Sequence, residues 1–200
     1  MNAERIRLDP EERKARIRAA ARSVFAANGY NATGLVEVAE HADVSKGLVY
    51  HYYAAGRPEL YVAVMDELYD ELLVALAPAT RAQVTLERKV ALFIDALFDF
   101  FEHNRDALGL LFRDAYGSGE ALVIERAQQA QLGVAGELGK LVAQTGAPGS
   151  ATLVITAGTV GFLFEAADLL LRRHVDADTA KAACLAFVTG GFAAFRPPTG

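Results

Sequence analysis

The chain has 200 residues, 52% of them hydrophobic and 22% charged, with a net charge of −5. Such a chain can bury a real core and is too apolar to stay disordered, and its length allows one fair-sized domain or a small one joined to a larger. A single cysteine, Cys184, excludes an intramolecular disulfide framework and a Cys-cluster zinc site, and it points to a reducing compartment.

Residues 1–18 are charged throughout, so no secretory leader is expected. Asp9 is placed to cap a first helix, with Pro10 in its first turn, where a missing N–H costs nothing. Ile17, Ala20, Ala21, Val24 and Phe25 share one stripe, and Asn28-Gly29 supplies the helix end. Residues 13–36 hold Arg13, Lys14, Arg16, Arg18 and Arg22 and no acid, although residues 1–60 balance nine Lys/Arg against eight Asp/Glu. A basic stripe on an acidic protein suits a polyanion, and a solvated helix face would look the same from charge alone.

Two short helices follow between Thr33 and Tyr53, then a long one from Pro58 with Tyr61, Val62, Met65, Leu68, Tyr69, Leu72 and Leu76 inward, ended by Pro78. A wide apolar face runs from Leu86 to Phe101, and His103-Asn104-Arg105 breaks it before a short segment to Tyr116. Beyond the Gly117-Ser118-Gly119 turn, helices are expected over about 120–144 and 150–173, with a last one capped by Asp176 or Asp178 and ending near Phe195. Residues 141–164 carry no charge, but Gly146-Ala-Pro-Gly-Ser150 interrupts them and Glu165 and Asp168 follow. A buried helix is therefore expected rather than a membrane span, which needs about 20 apolar residues. With 38 alanines and no strand–turn–strand rhythm, the fold class expected is all-α, about nine helices.

The segment from Val36 to Tyr52 has the spacing of a helix-turn-helix. Ala39 is small where two helices cross, Val38, Ala42, Val44, Val49 and Tyr52 line the contact, and Ser45 caps the second helix. The tight turn holds Asp43, one of the few residues other than glycine that enter the left-handed region at tolerable cost.

These residues carry a resemblance. Ile17-Arg-Ala-Ala-Ala-Arg-Ser-Val-Phe-Ala-Ala-Asn-Gly-Tyr30, Ala32-Thr33, Val38-Ala39 and Val44-Ser-Lys-Gly-Leu-Val-Tyr-His-Tyr-Tyr53 resemble the DNA-binding domain of TetR-family transcriptional regulators. The loop Ala54-Ala-Gly-Arg-Pro-Glu-Leu60 is similar to that family's glycine-containing variant. The sequence departs from the pattern at Gly34, Asp43, Leu48 and Tyr53. The resemblance implies a helix-turn-helix domain over residues 1–58 and a helical ligand-sensing and dimerisation domain over 59–200. It also implies a cytoplasmic homodimer, a repressor by family expectation, that binds a palindromic DNA operator and is released by a small, largely apolar effector.

On DNA, the second helix would enter the major groove N-terminus first. The candidate contacts are Thr33, Ser45, Lys46, Gly47, Leu48, Tyr50, His51 and Arg57, with Arg18 or Arg22 adding to the phosphate clamp and Arg5 and Arg7 reaching a minor groove. No Arg, Asn or Gln on this helix offers the usual bidentate base contact, so Lys46, apolar contacts and DNA shape would set specificity. Tyr52 and Tyr53 read as core, and His41 as solvated.

For the sensor, Phe93, Leu97, Phe101, Phe112, Tyr116 and Gln131 are the candidate pocket, with Asp95, His103, Gln128 and Gln144 as further polar candidates; ordinary core packing explains any single aromatic better. Leu153, Thr159, Phe162, Leu169 and Phe187, with Gly158, Gly161 and Leu163 beside them, are the candidate dimer interface by resemblance to the family's last two helices. His103 and His174 stand alone, so no metal and no cofactor is expected. No phosphate loop, nucleophile elbow or HExxH motif is present, which argues against an enzyme. The alternative is a helical ligand-binding or dimerisation protein of the same fold that has lost operator binding, favoured by Gly34, Asp43 and the missing bidentate base reader.

Overall fold

The computed structural model describes residues 9–143 and 149–193, so the expectations placed on Arg5, Arg7, Gln144 and Phe195 lie outside the described residues. In chain order, these residues form α1 (Pro10–Ala32), α2 (Leu35–His41), α3 (Lys46–Tyr52), α4 (Arg57–Arg81), α5 (Leu86–His103), a π-helical turn (Gly109–Arg113), α6 (Asp114–Gly117), α7 (Ala121–Val142), α8 (Gly149–Leu171) and α9 (Ala177–Ala193). The fold is all-α, and no strand occurs among the described residues.

Local chemistry explains several helix ends. Asp9 and Glu12 form a reciprocal capping box at the start of α1, each carboxylate accepting the other's backbone N–H at 2.9 Å. Gly29, at φ 75°, interrupts α1, and a short turn to Ala32 continues beyond the kink. Asp176, rather than Asp178, caps α9 by accepting the N–H of Thr179. Pro78 does not follow α4 but lies inside its last turn. A proline there gives up only the bond to the carbonyl of Val74, whose residue is 74% exposed and open to water.

Helices α1 to α3 close around Ile17, Phe25, Val38, Ala42 and Val49. Helix α4 packs on α1 at one end and on α5 and α7 further along, so one continuous core joins the helix-turn-helix to the remaining helices. Tyr69 of α4 fixes the approach to α7: a Cβ at Gly133 would lie 1.7 Å from its hydroxyl oxygen. Helix α8 packs on α7 and α9 but is not the buried helix expected. Over Thr152–Leu171 it is long and apolar enough to cross a membrane by length and composition, yet only 33% of that window is buried. Leu153, Val154, Phe162 and Leu169 are exposed.

Candidate DNA-binding and effector sites

Helix α3, the second helix of the helix-turn-helix, is anchored from within. Val49 is fully buried, Tyr53 behind it is buried, and Tyr52 packs against the core edge. Ser45 caps the helix by accepting the N–H of Leu48 at 3.2 Å. Its hydroxyl therefore holds the helix start, while the residue itself stays exposed. Lys46, Gly47, Tyr50 and His51 form the outward face, with Leu48 half-buried at its edge. Lys46 Nζ lies 5.6 Å from the Tyr50 ring centroid and His51 sits edge-on to Tyr52, so the outward side chains brace one another. In the turn, Asp43 adopts φ 50°, and its carboxylate accepts from Arg16 at 3.1 Å. His41 is exposed, its Nδ1 within 3.0 Å of the Glu37 carbonyl.

Two of the expected DNA clamps are placed differently. The Thr33 side chain is buried and donates to the carbonyl of Gly29 at 2.8 Å. A hydroxyl that closes the α1 kink is not presented to phosphate. Arg57 donates to the carbonyls of Asn31 and Thr33 and stacks 4.4 Å from the Tyr30 ring, so it holds the α1–α2 junction.

The basic stripe is likewise partnered. Lys14 pairs with Glu11, Arg16 with Asp43, and Arg18 with Glu67 of α4. Arg22 grips both carboxylate oxygens of Asp106, at 2.6 and 2.8 Å, and the Asn104 side-chain oxygen at 2.9 Å. That fork holds the Asp106 carboxyl below its ordinary range, against the opposing effect of burial. The arginines proposed for the phosphate clamp, Arg18 and Arg22, thus tie α1 to the larger helical body. One further bond crosses the same junction, from the Asn31 side chain to the Gly117 carbonyl at 3.0 Å, and within the larger body the buried Tyr61 hydroxyl of α4 donates to the Leu110 carbonyl at 2.8 Å.

A cavity of about 570 Å³ opens between the π-turn, α7 and α8. Leu108, Phe112, Tyr116, Phe164 and Leu169 give it an apolar wall, on which Phe112 and Phe164 stack with centroids 4.3 Å apart. Gln131 reaches it from α7 and accepts from the Tyr116 hydroxyl at 3.1 Å. Of the expected pocket residues, Phe112, Tyr116 and Gln131 line this cavity; Phe93, Leu97 and Phe101 do not, being fully packed core. Phe101 touches the wall only from behind, edge-on to Phe164. The reason is helical phase: α5 turns its whole aromatic stripe toward α4 and α7–α9, leaving no free face for a ligand.

The cavity's charged rim escaped the sequence reading. Asp168 is held between Arg113, at 3.2 Å, and Arg172, and Glu165 and His174 stand beside them. Arg105 donates to the carbonyl of Leu171 at 2.8 Å in an adjoining polar cleft. One signal was available: Glu165 and Asp168 interrupt an otherwise uncharged helix, where a carboxylate needs a polar reason to stand.

Away from the cavity, Phe162 of α8 and Phe187 of α9 form an exposed apolar face with their rings 4.4 Å apart, and Leu169, two turns on from Phe162, stands between that face and the cavity; Leu153 is exposed too but lies about half a turn round α8 from Phe162. Thr159, expected in this face, is buried and points inward, and Leu163 beside it is fully buried.

Comparison with known proteins agrees with this geometry. The family model for bacterial regulatory proteins of the tetR family matches residues 17–64. The HTH-type transcriptional activator FasR of Mycolicibacterium smegmatis is 30% identical over 193 residues, spanning 92% of this chain and 85% of that protein. A TetR-like transcriptional regulator from Rhodococcus sp. RHA1 superposes with a TM-score of 0.75 at 22% identity, covering 94% of this chain and 99% of that one. FadR from Bacillus subtilis, solved in complex with stearoyl-CoA, superposes with a TM-score of 0.76 at 17% identity over 88% of this chain and 98% of its own. The chain belongs to the TetR family of bacterial regulatory proteins, DNA-binding regulators of transcription and not enzymes.

Proposed function

We propose that this protein is a cytoplasmic, homodimeric regulator in which residues 1–58 read a palindromic operator and residues 59–200 pair the subunits and sense an amphiphilic effector. The observation that carries the reading is the outward face of α3: Lys46, Gly47, Tyr50 and His51 are exposed together on a helix whose inner side is anchored by Val49. A helix so presented enters a major groove, and two copies about 34 Å apart read two half-sites. The apolar face of α8 and α9 supplies the surface for pairing. The cavity accepts an apolar body, and Arg113 and Arg172 at its rim, with Arg105 in the adjoining cleft, suit an anionic head group.

Selection of random double-stranded DNA by the purified protein at about 0.1 M salt tests the operator reading. A palindrome enriched by the wild type and lost in the Lys46→Ala, Tyr50→Ala double variant is expected. No enrichment from folded, dimeric protein would favour a helical ligand-binding protein without an operator. Stearoyl-CoA, stearate and stearyl alcohol then test the effector class, with the two anions expected to raise the melting temperature and the alcohol not. The direction of regulation is read by placing the selected operator over or upstream of a reporter promoter, where an occupying protein represses in the first position and can activate in the second.

A further inference from the structure

Residues 104–113 are held from three sides at once. From α1, Arg22 forks onto Asp106 and reaches the Asn104 side-chain oxygen, while its remaining nitrogen lies 3.7 Å from Glu71 of α4. From α4, Tyr61 donates to the Leu110 carbonyl. From the effector side, Leu108, Phe112 and Arg113 form part of the cavity wall.

The stretch is also built to change. Asn104 ends α5, its backbone and side-chain N–H groups both donating to the Phe100 carbonyl, and its side-chain oxygen is then left for Arg22. The Asp106 carbonyl accepts from Leu110 at 3.0 Å, directly ahead of the π-turn over Gly109–Arg113. A π-turn carries one residue more per turn than an α-helix, so it has a neighbouring α-helical register within reach. A one-residue shift there moves Leu108 and Phe112 against any occupant of the cavity and draws on Asp106 at the other end. A bidentate arginine–carboxylate fork transmits such a shift because its two parallel bonds fix direction as well as distance.

We propose that Arg22 and Asp106 are a positioning pair that carries the state of the effector cavity to the DNA-binding domain. The inference rests on the operator and effector reading above. Coupling is reciprocal, so operator binding must be felt at the cavity wall even before an effector is identified.

The test is hydrogen exchange on the full chain, with and without the DNA duplex recovered by selection. In the wild type, saturating duplex is expected to change the exchange of the 107–113 amides about fivefold or more, the lower end of ordinary coupling. In Arg22→Gln and, from the other side, Asp106→Asn, that change is expected to collapse at matched DNA occupancy. Arg22→Lys, which keeps the charge and loses the fork, is expected to fall between. A pair that only stabilised the fold would lower the melting temperature in these variants and leave the DNA-induced change intact, and that result overturns the proposal. An unresponsive 107–113 segment in DNA-saturated wild type overturns it equally. A wild type that selects no DNA removes the operator reading itself, and this shows before any variant is compared.

Discussion

Asp43 sits in a backbone conformation that most side chains avoid, and its carboxylate lies against Arg16 near the recognition helix. Asp43→Gly removes left-handed strain of roughly 1 kcal/mol and a surface ion pair worth about as much or less, so the two changes nearly offset in stability. On DNA both changes act in one direction, since an acid leaves the binding face and Arg16 is freed. Operator affinity should rise about tenfold at low salt, with the salt dependence steeper by about one released counterion; an unchanged slope would show that Arg16 never reaches phosphate. Asp106 gives a second test. Its folded-state carboxyl titrates below the unfolded value, chiefly because of Arg22, so its contribution to stability is present above an unfolded pKa of about 3.9 and is lost as pH falls through the folded value. The stability gap between wild type and Asp106→Asn in urea titrations should therefore be constant near neutrality and narrow below about pH 4. These roles were only half legible in the sequence. Composition marked Arg18, Arg22, Thr33 and Arg57 as polar, but nothing local names partners 49 or 84 positions away.

Helices were legible where one face is apolar and the ends carry capping chemistry. Asp9 with Pro10, Ser45 and Asp176 all mark ends that the structure places within a residue or two of expectation, whereas Gly29 marks a kink inside α1, which ends at Ala32. The π-turn was not legible, because an added residue per turn leaves the apolar pattern of Leu108, Leu110, Leu111 and Phe112 intact while it rotates which of them face the cavity. Phase likewise misassigned α5: a stripe containing Phe93, Leu97 and Phe101 reads the same whether it lines a cavity or fills a core. Helix packing makes its own prediction at Gly133, where the Tyr69 hydroxyl occupies the space of a Cβ and Arg126 stacks on the same ring 4.7 Å away. Gly133→Ala should lower stability by about 1–3 kcal/mol through overpacking, against a helix-propensity gain of about 1. In a Tyr69→Ala background the same substitution should become neutral or stabilising in thermal melts. A destabilisation that persists there would mean the close approach is not what the glycine serves.

At the scale of the whole molecule, the architecture could be read from sequence and the assembly could not. An all-α body of this length with a helix-turn-helix at one end follows from local signals, whereas pairing depends on which side chains stay uncovered once the subunit has folded. Phe162, Leu169 and Phe187 stay uncovered, and Thr159 and Leu163, on the inward side of α8, do not. An exposed apolar face of this kind is costly in water unless a partner covers it. If that partner is a second copy, the face sets the distance between two recognition helices, and operator affinity depends on residues far from DNA. Phe187→Asp tests this cleanly, since a side chain 57% exposed in the subunit contributes little to its core. The variant should keep its helical circular dichroism, sediment as a monomer at micromolar concentration, and bind the selected palindrome on the order of 100-fold more weakly, because one recognition helix reaches only one half-site. A variant that remains dimeric with full affinity would place the pairing surface elsewhere. A monomer that still held the palindrome tightly would instead detach operator reading from pairing, and with it the spacing of the two recognition helices as the quantity an effector controls.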